Sequence, residues 1–185
     1  RGVRIGVRSG EIRPVFSGSA INMTGIERLM DLIVKYFPTY GENGTVTVTD
    51  IEKEEPVELQ TTENEKFTGL VFKTIVDPFV GRISFIKVKS GTLSADSNVY
   101  NPKKDKMEKI AQIYIIKGKH QTAVGKLFTG DIGAVTKLGY TQTNDTLCDK
   151  GCHYAVDPIK FTEPMLGVAV WPKSKNDDDK LSNAL

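Results

Sequence analysis

LVFKTIVDPFVGRISFIKVKSG, residues 70–91, decides how this chain is read. Apolar residues at Leu70, Phe72 and Val76, with a second set at Val71 and Ile75, predict a strand nearly buried on both faces. Asp77-Pro78 breaks it, because proline lacks the ladder N–H and the Asp side chain bonds its own backbone. The return strand runs Gly81 to Lys89 and changes phase: Ile83 and Phe85 share one face, Ile86 and Val88 the other. A bulge or barrel bend near Phe85-Ile86 accounts for that change, and Ser90-Gly91 closes the strand.

Downstream the punctuation continues. Asn98-Val99-Tyr100 predicts a short strand, Asn101 to Lys106 a polar turn, and Met107 to Ile116 one alternating strand ended by Gly118. Val124 to Phe128 and Ile132 to Leu138 predict two more, hinged by Gly130-Asp131. Short strands at this spacing, without helices between them, predict a mainly β fold, a closed antiparallel Greek-key-type β-barrel over residues 67–160.

Upstream the pattern differs. Residues 12–16 predict a strand, Ser17 to Ala20 a tight loop, and Thr24-Gly25-Ile26-Glu27 a capping box. The helix it opens carries Ile26, Leu29, Met30, Ile33, Val34 and Phe37 on one stripe and ends at Pro38. Residues 1–38 therefore predict a remnant strand–helix of an α/β domain, and residues 39–66 a linker with edge strands at Val46-Thr47-Val48 and Pro56 to Leu59. At the other end, residues 161–185 predict a truncated β–α start of an α+β domain: a strand from Met165 to Trp171, then a helix opened by Asp177, Asp178 and Asp179. With Arg1 in place of a start methionine, these edges predict an excised piece of a longer protein.

Charge is segregated. Between Gly81 and Lys126 there are ten Lys or Arg against three acids, a net +7, whereas Glu42 to Glu65 carries eight acids and one lysine, a net −7. A basic face is the usual footprint of a phosphate-rich partner, although lysines at hairpin tips also serve only solubility. By charge, the candidate RNA contacts are Arg82, Lys87, Lys89, Lys103, Lys104, Lys106, Lys117 and Lys119.

Catalytic patterns are missing from these residues. There is no GxxxxGK[ST] or GxGxxG loop, and His120 and His153 are the only histidines, so a hydrolase triad has no footing. Cys148, Cys152 and His153 fall short of the four ligands of a structural zinc site, so they read as free thiols and no metal is expected. No run approaches the ~20 apolar residues of a membrane span, and no leader opens the chain, so no membrane is expected and a cytoplasmic setting is.

FTGLVFKTIVDPFVGRISFIKVKSG, continued by Thr129-Gly130-Asp131-Ile132 and Asp145-Thr146-Leu147-Cys148-Asp149, closely resembles the second domain of the elongation factor G family. Pro14 to Ala20, then Gly25 and the helix to Pro38, resemble the last strand and helix of that family's GTP-binding domain, and Glu163 to Lys175 the start of its third domain. The resemblance implies a parent translational GTPase that uses GTP and Mg2+ on the ribosome for translocation or ribosome disassembly, while the fragment alone takes no cofactor and is not expected to be catalytic. It implies that Ser19 and Ala20 are the remnant of a guanine-recognising loop, and that the barrel meets small-subunit rRNA and the parent's own GTP-binding domain. Thr39-Tyr40-Gly41 with its Glu-rich continuation, and Cys152-His153, depart from the family pattern and fit a paralogue. Two alternatives stand beside this: a tetracycline ribosomal-protection GTPase of the same architecture, and a non-enzymatic barrel adaptor binding RNA or protein.

Overall fold

The computed structural model describes residues 2–77, 80–172, 174 and 181. Two helices lead, α1 (Gly2–Ser9) and α2 (Ile26–Tyr36), followed by a 3-10 turn at Tyr40–Asn43. Thirteen strands follow among the described residues: β1 (Thr45–Asp50), β2 (Glu55–Gln60), β3 (Thr68–Asp77), β4 (Gly81–Ser90), β5 (Leu93–Ser94), β6 (Ser97–Asn101), β7 (Lys106–Ile110), β8 (Ile113–Lys117), β9 (His120–Val124), β10 (Lys126–Leu127), β11 (Ile132–Thr136), β12 (Thr146–Cys148) and β13 (Tyr154–Ala155).

The β3–β4 hairpin lies at the centre of an eight-stranded sheet of order β7-β6-β12-β3-β4-β11-β8-β9. The expected irregularity is present but on the other strand. Val71 pairs with Ile86 and Lys73 with Phe85, so the extra residue is Phe72 of β3. The Asp77-Pro78 turn is described only at its edges, where the Val80 amide donates to Asp77 Oδ1 at 2.9 Å; Pro78 lies outside the described residues.

Double-sided burial holds only for the first half of β3. Thr68 to Val71 are buried, whereas Ile75 is 38% and Val76 72% exposed. The reason is what covers each face. Val71 points into the barrel core with Phe67, Ile86, Val88, Leu93, Val99, Ile110, Ile113, Leu127, Val135, Leu138 and Leu147. Leu70 points the other way, onto Val48, Leu59 and Val156 of a smaller core. That second core belongs to the sheet β13-β1-β2, so the two expected edge strands at 46–48 and 56–59 form a full hairpin of their own. Each fully buried aliphatic side chain contributes about 1.5–3 kcal/mol, so the larger core dominates stability.

The long strand expected at 107–116 is two strands. Ala111-Gln112 breaks the ladder, and β7 turns into β8 with Ile110 and Ile113 both fully buried on either side of the break. Because β7 is the first strand of the sheet and β8 the last but one, a two-residue link between them forces the sheet to curl into a barrel-like shape. Gly118 is the turn of the β8–β9 hairpin, at φ +59°.

Three expectations in the flanks fail. Residues 12–16 form no strand, and no strand pairs with them; only a Ser19–Thr24 bridge is made nearby. Thr24 does not cap α2: Gly25 does, at φ 80°, with no side-chain hydrogen bond, because the Thr24 carbonyl is held by the Ser19 amide. Phe37 is extended ahead of Pro38, as the residue before proline prefers, so α2 stops at Tyr36. Met165 to Trp171 is not a strand, and Met165, Leu166, Val168, Val170 and Trp171 are all exposed; the helix expected from Asp177 lies outside the described residues.

Candidate functional site

The Ser17–Gly25 loop is pinned from within. The Ser19 amide donates to the Thr24 carbonyl at 3.0 Å and the Asn22 amide to Ser19 Oγ at 3.3 Å. Beside it lies an open cavity of about 510 Å³ lined by Val15, Phe16, Ser17, Thr24, Gly25 and Arg28. Neither Ser19 nor Ala20 lines that cavity. Ser19 is half-buried and Ala20 exposed.

The structure does not bring the eight basic candidates into one patch. Lys87 and Lys89 sit near the end of β4 where the Val88 amide bonds the Asp131 carbonyl at 3.0 Å, and the β11–β8 register carries Lys117 toward the same end. Lys119 follows in the adjoining turn. Arg82, the second residue of β4, lies near its far end, about 23 Å from Lys89 at ~3.3 Å per residue. Lys103, Lys104 and Lys106 lie at the β6–β7 turn, separated from β4 by β12 and β3.

Several of these lysines are already engaged. Lys103 Nζ is 3.4 Å from Asp145 Oδ1, and Lys104 Nζ donates to Gln142 Oε1 at 3.3 Å. Lys106 Nζ lies 6.0 Å from the Tyr140 ring centre and Lys87 Nζ 5.1 Å from that of Tyr40. Burial, reinforced by Lys87, holds the Lys89 ammonium below its ordinary pKa. Lys117 and Lys119 are exposed.

Sequence reasoning missed the polar network behind the β6–β7 turn. Glu108 is buried, and its carboxylate accepts from the amides of Gly139 at 3.0 Å, Tyr140 at 2.7 Å and Thr141 at 2.8 Å, and from Thr141 Oγ1 at 2.9 Å. Asp145 is equally buried; its Oδ2 accepts from Asn101 Nδ2 at 3.1 Å and from the Gln142 amide at 2.9 Å. These bonds fix loop 139–145 against the turn that presents Lys103 and Lys104. The signal was a single acid inside an alternating strand, which reads as a solvent-facing position.

The residues that carried the family resemblance also act as staples. Thr129 Oγ1 lies 2.8 Å from the Gly91 carbonyl and 3.0 Å from that of Thr62, and Asp131 Oδ2 accepts from the Phe128 amide at 2.9 Å. Asp149 Oδ2 accepts from the Phe67 amide at 2.8 Å. Gly130, at φ +93°, leaves room for Tyr40, whose Cβ would lie 2.7 Å from an added methyl group.

Cys148 and Cys152 are free, buried thiols. Cys148 Sγ donates to the Cys152 carbonyl at 2.9 Å, and His153 Nδ1 lies 3.4 Å from Glu52 Oε1. Burial pushes the Cys148 thiol up to about 12, against the opposing hydrogen bond from the Tyr154 backbone. Only the thiolate alkylates, and burial holds Cys148 in its protonated form at about pH 8. Iodoacetamide should therefore leave Cys148 unmodified in the folded chain at that pH and label it in denaturant, as read by peptide mass spectrometry. Equal labelling in both states would contradict its burial.

The family model for elongation factor G domain 2 matches residues 66–150. Elongation factor G of Chlamydia trachomatis serovar D is 38% identical over 183 residues, covering 99% of this chain and 26% of that protein. Elongation factor G of Chlamydia caviae is 37% identical over the same length and shares. A crystal structure of a Thermus thermophilus protein matches with a TM-score of 0.72 at 21% identity, covering 98% of this chain and 25% of that one, which shows a common fold. The chain thus spans about a quarter of the length of the curated relatives it matches. From the helical lead through the barrel whose staples are described above, the chain belongs to the elongation factor G family.

Proposed function

We propose that the chain is the ribosome-docking portion of a translational GTPase, acting in the cytoplasm in translocation or ribosome disassembly. The observation that carries this is the likeness to elongation factor G along 99% of the chain, flanks included. No helix among the described residues is long and apolar enough to cross a membrane. On this reading, residues 1–38 close a GTP-binding domain, 39–66 lead into the barrel, 67–160 are the barrel and 161–185 open a third domain.

The parent would bind GTP with Mg2+. Within this chain, the Ala20 amide and the Ser19 hydroxyl suit the carbonyl edge of a guanine, and no further part of the nucleotide finds a partner in them. Their pinned loop would hold the base without rearranging. The barrel's basic residues would contact phosphates of small-subunit rRNA, positioning the factor without reading bases. Its other neighbour would be the parent's own GTP-binding domain.

The test is the salt dependence of ribosome binding by the intact protein. Lys103→Ala, Lys104→Ala and Lys106→Ala combined should flatten the log affinity against log salt slope by about 2. Since Lys103 also pairs with Asp145, the Lys117→Ala, Lys119→Ala double variant serves as the second arm, its side chains touching no carboxylate among the described residues. An unchanged slope in both would remove these turns from the contact surface.

A further inference from the structure

The two end strands of the eight-stranded sheet differ in how they are protected. β7 carries Lys106, Glu108 and Lys109 within five residues, and lysines on an end strand discourage further pairing. β9, HQTAV, carries no Lys, Arg, Asp or Glu, and its first four residues are exposed. Its only ladder is with β8, so its outer row of amides and carbonyls has no backbone partner among the described residues.

The surface beside this edge has a definite chemistry. Tyr114 pairs with Ala123 and Ile116 with Gln121, and both Tyr114 and Ile116 are half-buried. On β11 the register carries Ile132, 51% exposed, alongside Ile116. Ile113, Ile115 and Val124 take the opposite face, against the barrel core. One face of the hairpin is thus an apolar strip leading to an open edge. Cations bracket it: Lys117 and Lys119 before β9 and Lys126 after it, none of them in an ion pair among the described residues.

We propose that β9 is an acceptor edge for an extended peptide segment of a partner protein, with alternating apolar residues and an acid at each end. The segment would extend the ladder beyond β9, and its apolar residues would lie beside Ala123 over the strip formed by Tyr114 and Ile116. Its terminal carboxylates would meet Lys119 and Lys126. Backbone pairing supplies the attraction, and the bracketing charges set the length and sign of the segment. An RNA strand could meet the lysines and single amides through its phosphates, but it presents no alternating row of amides and carbonyls that would extend the ladder.

The experiment follows amide exchange by NMR in the full chain, with the synthetic peptide Asp-Val-Thr-Val-Thr-Val-Asp as the probe. The peptide should slow exchange within His120–Val124 and shift the amides of Tyr114 and Ile116. Lys119→Glu with Lys126→Glu, which leaves β9 intact, should weaken binding about tenfold or more, a loss of about 1.4 kcal/mol. Ala123→Pro should abolish protection, provided the Tyr114 and Val135 amides keep their native shifts. The proposal is overturned if the peptide leaves β9 unprotected, if a version with Lys at both ends binds equally, or if an oligouridylate alone reproduces the shifts. Protection of β9 without peptide that grows with protein concentration would assign the edge to a second copy, and also overturns it.

Discussion

Glu108→Ala should lower the unfolding free energy by about 3–5 kcal/mol, read as a fall in the urea midpoint at constant m-value. The carboxylate collects three backbone amides and the Thr141 hydroxyl. Gly139 and Tyr140 are exposed, so water can take their amides, but Thr141 is fully buried, and leaving its amide and hydroxyl unsatisfied costs about 1–3 kcal/mol each, which outweighs the benefit of removing a buried charge. Glu108→Gln keeps the volume and one acceptor, and should lose about half as much. Because loop 139–145 also carries the side chains that hold Asn101, the damage should spread to the β6–β7 hairpin and raise exchange at Val99 and Tyr100. A loss below about 1 kcal/mol would mean that water replaces the carboxylate and that the loop is anchored elsewhere.

Gly91→Ala should be comparably severe, about 4 kcal/mol. At φ +69° an alanine pays about 1–2 kcal/mol in backbone strain. Its methyl would also sit 2.5 Å from the Glu65 carbonyl oxygen and 2.6 Å from the Phe67 nitrogen, both backbone atoms with no rotamer to retreat into. Gly118→Ala provides the control, since φ there is +59° and nothing lies within 4 Å of an added methyl. That variant should lose only about 1 kcal/mol. Equal losses at the two positions would show that strain alone matters and that the approach of the 65–67 backbone is dispensable.

The central hairpin was legible because its alternation, breaker residues and phase change are all local. The bulge was located at the right rung but placed on the return strand, since an extra residue on β3 or on β4 shifts the relative phase in the same way. Glu108 was invisible for a different reason: its partners come from a loop some thirty residues on, and no periodicity records a carboxylate turned inward by remote amides. For the basic set, composition carried charge without position, and the ladder then divided those residues among three places. At the front, α1 escaped notice, with only eight residues and no acid in its first turn. The capping box at Thr24 failed because a β-bridge to Ser19 already claimed the backbone it needed.

Three residues, Thr146–Cys148, form the strand that separates β3 from β6. During synthesis the chain emerges in order, so β3, β4, β6 and β7 leave the ribosome long before β12 does. Until it arrives, the facing edges of β3 and β6 lack the strand that joins them, and the core lacks Leu147. The barrel is therefore completed by a late insertion rather than by growth from one end, and the long wait between Thr68 and its partner Cys148 is the step at which a nascent chain stands most open to mispairing.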